Sequence, residues 1–328
     1  MNMSSNRLGD LIRIADEVTN KKFGYLPHDR PIKELLNYGI ILLDKPGGPT
    51  SHEVVAWVKR ILELEKAGHS GTLDPGATGL LPIGLGDATK ALSVLLLGPK
   101  EYYAIARLHS SDDHTNIINV LAEFVGEIYQ RPPQRSSVKR STRVRTIYKL
   151  DLVEQKDNNL LLRILCQAGT YVRKLIYDIG EVLGSGATMF ELRRTRVSNF
   201  REETNGLVRL HDVVDAFETY KEKGEDKLLR KVIIPVEECL NGISAIVVKD
   251  SAVDAICHGA QLAVPGIVAF EKGLDEQELV GIYTLKWELI ALGQTLMKGD
   301  VIKENTKGIA CSTKRLIMRP GTYPRGWK

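Results

Sequence analysis

Short apolar runs alternate with glycine- and proline-rich breaks along the chain, and this alternation outlines the elements before any chemistry is considered. Gly39 to Leu43 (GIILL) is a continuous apolar run of strand length, ended by the breaker KPGGPTS. Thr50 and Glu53 have the spacing of a capping box, and Val54, Trp57, Val58, Ile61 and Leu62 recur behind them at helical intervals. A further helix is predicted from about Asp87, burying Leu92, Leu95 and Leu96. Tyr102–Leu108 and Leu160–Cys166 read as strands. A third helix is predicted near Thr170, with Val172, Leu175, Ile176, Ile179 and Leu183 on one stripe. Strands and helices mix without a regular βαβ rhythm, which predicts an α+β fold with a mixed sheet.

Beyond Pro235 the pattern shortens. A helix-like SAVDAICHGA is followed by LAVPGIVAF, ELVGIYTLK and ELIALGQTLM, alternating apolar segments separated by glycines, which predicts a small β-barrel. Residues 1–35 are polar and unperiodic and read as an extension with at most one short helix. The expected division is therefore 1–35 extension, 36–238 first domain and 239–328 second domain. A length of 328 residues agrees with two domains.

Composition narrows the class. With 43% hydrophobic and 26% charged residues the chain is of ordinary globular type, and it has no apolar run long enough to span a bilayer. The start, MNMSSNRLGD, lacks an apolar signal core, so a cytoplasmic protein with no membrane association is expected. Cys166, Cys239, Cys257 and Cys311 are scattered without a C-x-x-C pair, and the seven histidines are equally dispersed, so no metal site is predicted.

Net charge is only +4, from 45 basic and 41 acidic residues, but its distribution is uneven. Ile128 to Lys149 contains no acid, while Arg131, Arg135, Lys139, Arg140, Arg143 and Arg145 all fall inside it. Pro132 and Pro133 favour an extended start to this strip. Such a strip is the footprint of phosphate-backbone contact, or otherwise a solvated surface loop. Arg193, Arg194 and Arg196 form a second basic knot that points the same way.

Candidate chemistry centres on GHSGTLDPGATG, residues 68–79, whose only carboxylate is Asp74. Pro75 biases Asp74 toward extended backbone, and Gly71, Gly76 and Gly79 permit close approach of another molecule. The residues alone fit either an Asx-turn or an exposed nucleophile or general base. Arg173 and Lys174, with Tyr171, fall at the start of the third helix, where the dipole disfavours cations. An anion opposite Arg173, either Asp74 or an RNA phosphate, would explain that placement. Tyr102, beside Tyr103, is either a core tyrosine or an aromatic platform for an extruded base.

GHSGTLDPGATGLLPIGLGDATK resembles the catalytic motif of the TruB-type pseudouridine synthases. IILLDKPGGPTSHEVVAWVKRIL, KEYYAIARL, IYQRPPQRSSVKR, CQAGTYVRKLIYDIG and MFELRRTRV resemble the family's other blocks in order. GPTSHEVVAWVKR, RPPQRSSVKR and GTYVRKLI resemble the archaeal H/ACA branch, the dyskerin-like synthases, and SAVDAICHGAQLAVPGI onward resembles its PUA domain.

The resemblance implies a pseudouridine synthase catalytic domain followed by a PUA domain, with the N-terminal extension packed on the latter. It implies that Asp74 is the catalytic aspartate, whether it attacks sugar or base or assists a glycal route. Tyr102 is then the base-stacking tyrosine and proton acceptor, and Arg173 the partner of Asp74. Tyr171 and Leu192 line the pocket, Lys45 and Pro46 support the catalytic loop, and His69 assists entry of the flipped nucleotide. The basic strip corresponds to a thumb loop on substrate RNA. No cofactor is implied. The implied partners are a box H/ACA guide RNA, substrate rRNA or tRNA, small zinc-ribbon and β-barrel accessory proteins, and a kink-turn-binding ribosomal-type protein.

Stand-alone action on the T-loop uridine of tRNA is the alternative enzyme, and a non-catalytic RNA-binding scaffold the alternative of another class. Ser70 replaces the branch's second glycine, Gly76-Ala77 its lysine-valine, and HSSDDHTN (109–116) departs from its HGD-containing loop.

Overall fold

A computed structural model describes residues 11–131 and 141–325. Of the basic strip, Pro132, Pro133, Arg135, Lys139 and Arg140 lie outside the described residues. A ten-stranded mixed sheet contains, as its main path, Ile234–Pro235, Gly39–Lys45, Thr78–Leu85, Ala187–Val197, Lys100–Leu108, Asn159–Cys166, Arg143–Lys156 and Gly126–Gln130. The short strands Ala67–His69 and Phe200–Arg201 pair off this path, with Thr78–Leu85 and Ala187–Val197. Neighbours are antiparallel except at the centre, where Thr78–Leu85 runs parallel to Ala187–Val197. Thr78–Leu85 is buried almost throughout, which its unbroken apolar sequence TGLLPIGL requires.

The Ser51–Ile61 helix starts where its capping box lies. Glu53 N donates to Thr50 Oγ1 at 3.2 Å, and Thr50 N to Glu53 Oε2 at 2.7 Å. Val54, Val58 and Leu62 are buried, but Trp57 is 39% exposed, so the apolar stripe is narrower than its sequence suggests. The element near Asp87 is two pieces, a 3-10 turn over Gly86–Lys90 and a helix over Leu92–Leu97. Leu92 and Leu95 are buried there, whereas Leu96 is 44% exposed, because the elements packed on this helix cover only part of its apolar stripe. HSSDDHTN ends in a helix start: Asp113 Oδ2 accepts from Thr115 N and Asn116 N and caps His114–Glu123.

The second sheet has seven strands, in the order Leu11–Arg13, Ile267–Glu271, Ser244–Val248, Leu279–Tyr283, Leu289–Thr295, Ile309–Leu316 and Leu262–Ala263. Its first strand comes from the N-terminal segment, Leu11–Arg13 pairing antiparallel with Ala269–Glu271. The segment is held further on by Lys286, whose ammonium donates to the carbonyls of Asn20 and Phe23, and by Tyr25 N donating to Glu288 Oε1.

One apolar cluster joins the two sheets. Ile40, Leu42, Leu80 and Val197 of the first pack in it with Ala245, Val247, Tyr283 and Leu292 of the second. All four cysteines are free and buried, and burial pushes each thiol up, Cys166 and Cys311 to about 12, so they are packing groups. Among the described residues no helix is long and apolar enough to cross a membrane.

Candidate active site

The glycine loop of residues 70–77 leads directly into Thr78–Leu85 at the centre of the large sheet. Gly71 has φ +109° and Gly79 φ +98°, backbone that L side chains rarely adopt. A Cβ at Gly79 would also lie 2.3 Å from the Arg194 carbonyl oxygen. Gly76, by contrast, has open space around it, so the loop does not need glycine there.

Three buried side chains hold the loop through its main chain. Lys45 is fully buried, and its ammonium donates to the carbonyls of Pro46 (2.9 Å), Pro75 (3.0 Å) and Ala77 (2.9 Å). Arg194, 1% exposed, donates to Leu80 O (2.9 Å) and Gly71 O (3.1 Å). Ser51 Oγ accepts from Leu73 N (2.9 Å) and donates to Leu73 O (3.0 Å). Burial lowers the pKa of both Lys45 and Arg194; Asp74 opposes this for Lys45, and Tyr102 for Arg194.

Asp74 stands out from this scaffold. Its carboxylate accepts from Arg173 Nη2, and both side chains are more than half exposed. An exposed pair of this kind contributes at most about 1 kcal/mol to stability, so the arrangement is not explained by folding. The anion opposite Arg173 is thus Asp74. Tyr171 is the N-cap of the Val172–Leu183 helix rather than a first-turn residue. Its N–H donates to Gln130 Oε1 at 2.9 Å, and its carbonyl accepts from Gln130 Nε2 at 3.1 Å.

Tyr102 lies directly across the antiparallel pair from Arg194, and Leu192 across from Ala104, so all four side chains share one face. Tyr102 and Leu192 are both half-buried and pack on the same apolar cluster. Burial raises the Tyr102 phenol pKa, and the Arg194 guanidinium opposes that rise. His69 lies behind the loop, edge-on to His52 with ring centroids 5.0 Å apart. Burial pushes its pKa down to about 4, and its Nδ1 is buried without a hydrogen-bond partner. Ser70 is fully buried, and its hydroxyl likewise has no partner.

The second basic knot does not present itself to phosphate. Arg194 is internal; Arg193 pairs with Asp44 (2.9 Å) and Glu202 (2.7 Å); Arg196 Nε donates to Ser198 O (2.7 Å). Arg131 is exposed, and Arg143 and Arg145 are partly exposed at the mouth of the hairpin formed by Gly126–Gln130 and Arg143–Lys156. Lys45 and Arg173 thus meet the glycine loop or its Asp74 directly, Tyr102 and Leu192 share a face with the Arg194 that holds it, and Tyr171 is the N-cap of the helix that carries Arg173. Sequence reasoning missed Arg194, Ser51 and Gln130 as parts of this site. For Arg194 a signal existed, since its neighbour Leu192 was already placed in the pocket wall; Ser51 and Gln130 carried none.

An aspartate on a glycine loop pinned through its main chain, paired with an arginine from a separate element, is an arrangement that suits an enzyme. Profile matches specify it: TruB family pseudouridylate synthase (N terminal domain) over residues 59–172, tRNA pseudouridylate synthase B C-terminal domain over 173–241, PUA domain over 244–317 and DKCLD (NUC011) domain over 7–55. The chain belongs to the TruB family of pseudouridine synthases, in its form with a C-terminal PUA domain. It is 52% identical to a probable tRNA pseudouridine synthase B of Methanopyrus kandleri, over 97% of this chain and 94% of the relative. A protein of the same description from Pyrococcus horikoshii is 48% identical over 97% and 95%. Among solved structures, a chain of an H/ACA RNP bound to a substrate RNA containing 2'-deoxyuridine matches with TM-score 0.89 and 44% identity over 97% of both chains. A chain of a Cbf5-Nop10-Gar1 complex matches with TM-score 0.88 and 47% identity over 96% of this chain and 95% of the other.

Proposed function

We propose that this protein is the catalytic subunit of an H/ACA ribonucleoprotein and isomerises uridine to pseudouridine at positions chosen by a guide RNA. The observation that carries this is the likeness, at TM-score 0.89 over 97% of both chains, to a subunit of an H/ACA RNP solved with its substrate RNA. Both sheets are needed for a match of that extent. The proposed partners are a box H/ACA guide RNA, substrate rRNA or tRNA, and small accessory proteins. Solved relatives in complexes with Nop10 and Gar1 support the last of these. A kink-turn-binding ribosomal-type protein and a cytoplasmic location complete the reading, and the proposed domain limits are 1–35, 36–238 and 239–328.

In this reading the target uridine leaves its stack and enters the face shared by Tyr102, Leu192 and the Asp74 loop. The N1–C1′ bond breaks, the base turns, and C5 bonds to C1′; the C5 proton is removed and N1 gains one, so the reaction is redox-neutral and atom-balanced. Asp74 is the nucleophile, its attack falling on sugar or base, or the carboxylate that assists a glycal route. Arg173 orients that carboxylate, Tyr102 stacks on the base and receives the C5 proton, Tyr171 and Leu192 wall the pocket, and His69 helps the nucleotide enter. Arg131, Arg135, Lys139, Arg140, Arg143 and Arg145 hold the RNA backbone, positioning it without reading sequence.

Stand-alone action on the T-loop uridine of tRNA is the second reading, favoured by the description of the relatives as tRNA pseudouridine synthase B. Turnover of purified protein on tRNA and on a guide-paired RNA, with and without guide, separates the two. Guide-dependent product supports the first reading; equal tRNA turnover without guide replaces it with the second. Asp74→Ala should abolish product while RNA binding survives, and retained turnover would overturn the site assignment.

A further inference from the structure

The Arg173 guanidinium must meet a half-exposed carboxylate from the end of a long flexible side chain, so its aim depends on where its helix begins. That start has no side-chain cap, because the N-cap position is Tyr171. Its position is fixed from a distant strand. Gln130 is 2% exposed, and its amide closes a two-point ring on Tyr171, accepting from the N–H at 2.9 Å and donating to the carbonyl at 3.1 Å. Only this amide orientation works, since a flipped amide would set donor against donor and acceptor against acceptor. The Tyr171 carbonyl also accepts from Leu175 N at 3.0 Å, the first bond of the helix, so Gln130 grips the peptide from which the helix propagates.

Gln130 is also the last residue of the Gly126–Gln130 strand, paired with Arg143, and the next residue is the exposed Arg131. The side chain that fixes Tyr171 thus sits next to Arg131 in the chain and across the strand pair from Arg143. We infer that Gln130 is a positioning residue for the isomerisation: it fixes the helix start that aims Arg173 at Asp74. The inference rests on the reading of Asp74 and Arg173 given above.

The test is single-turnover pseudouridine formation at saturating RNA by the full chain in its assembled complex, with wild type, Gln130→Met and Asp74→Ala in parallel. Gln130→Met keeps side-chain volume and removes both hydrogen bonds. A misplacement of about an ångström costs on the order of 10²-fold in rate, so the saturating rate constant should fall by about 10- to 100-fold. RNA affinity should stay near wild type, and the melting temperature should fall by no more than the several degrees that two lost hydrogen bonds cost, leaving the protein folded at the assay temperature, a split that simple unfolding would not give. In an Arg173→Lys background the same substitution should cost much less, because the residue it acts through is already displaced.

A saturating rate within about twofold of wild type would overturn the inference, as would a loss matched by RNA affinity or by the unfolded fraction at the assay temperature. If Gln130→Met does not fold, Gln130→Glu, which keeps the length and the acceptor but not the donor, is judged by the same criterion. Wild-type rates in Gln130→Met beside a dead Asp74→Ala remove only this inference. Turnover by Asp74→Ala would remove the site assignment beneath it.

Discussion

His69 and Ser70 are adjacent, and both bury a polar atom without a partner just before the catalytic loop. A charged His69 would bury an unpaired N–H, which is the physical reason its pKa lies at about 4, well below the ordinary 6.5. Between those two values the unfolded chain binds a proton that the folded chain refuses. This contribution to stability is present above pH 6.5 and is lost as pH falls toward 4. Imidazole shifts followed by NMR should show His69 neutral down to about pH 5. A midpoint near 6.5 would contradict the buried ring. At Ser70 the unpaired hydroxyl costs about 1–3 kcal/mol, so Ser70→Ala should raise the melting temperature by several degrees without loss of turnover. A fall in melting temperature would mean that the hydroxyl is paired after all.

At the scale of elements, the glycine loop is shaped less by its glycines than by cations below it. Lys45 comes from Gly39–Lys45 and Arg194 from Ala187–Val197, the strands on either side of the one the loop enters, and each meets main-chain carbonyls rather than a carboxylate. Lys45→Met would remove the ammonium from three carbonyls of the loop and its flank, of which Pro75 O keeps a donor in Gly48 N at 2.9 Å. The expected result is a stability loss of about 2–4 kcal/mol by chemical unfolding, with turnover reduced further than stability alone explains. Unchanged turnover in the folded fraction would show that the loop keeps its shape without this cation. The elements most legible in the sequence were those with local signals. The Thr50–Glu53 box gave the start of Ser51–Ile61, and the stripe of Val172, Leu175, Ile176 and Ile179 gave the buried face of Val172–Leu183. Trp57 and Leu96 misled because periodicity reports which residues are apolar, not how wide a neighbour covers them.

Across the whole molecule, the two sheets and the N-terminal segment meet at a buried pair. Arg30, 3% exposed, donates to both oxygens of Glu237, at 2.8 and 2.7 Å, and Glu237 Oε1 also accepts from Leu289 N. Glu237→Ala strands a buried guanidinium and should cost about 3–5 kcal/mol, read from denaturant unfolding. A cost below about 1 kcal/mol would show that the shared apolar cluster docks the sheets unaided. The basic strip acts at this scale too. Neutralising Arg131 and Arg143 together should weaken RNA binding and flatten its salt dependence, by about one unit of slope for each phosphate that the protein no longer neutralises. An unchanged slope would mark the strip as ordinary surface.

The α+β class, the run of short strands after Pro235 and the family were legible in the residues, whereas the pairing of Arg173 with Asp74 was implied only by the resemblance and is seen in the structure. The first three rest on local periodicity, capping chemistry and ordered motif blocks, all readable within a few dozen residues. Only the tertiary structure decided that Arg193 and Arg196 are engaged within the protein, that Arg194 and Lys45 hold the loop from inside, and that Gln130 sets the helix start. The physical reason is common to the buried side chains among them. A buried polar side chain is defined by the partner that satisfies it, and for Lys45, Arg194 and Gln130 the deciding partners (Pro75 and Ala77, Gly71 and Leu80, Tyr171) lie on segments far away in the sequence.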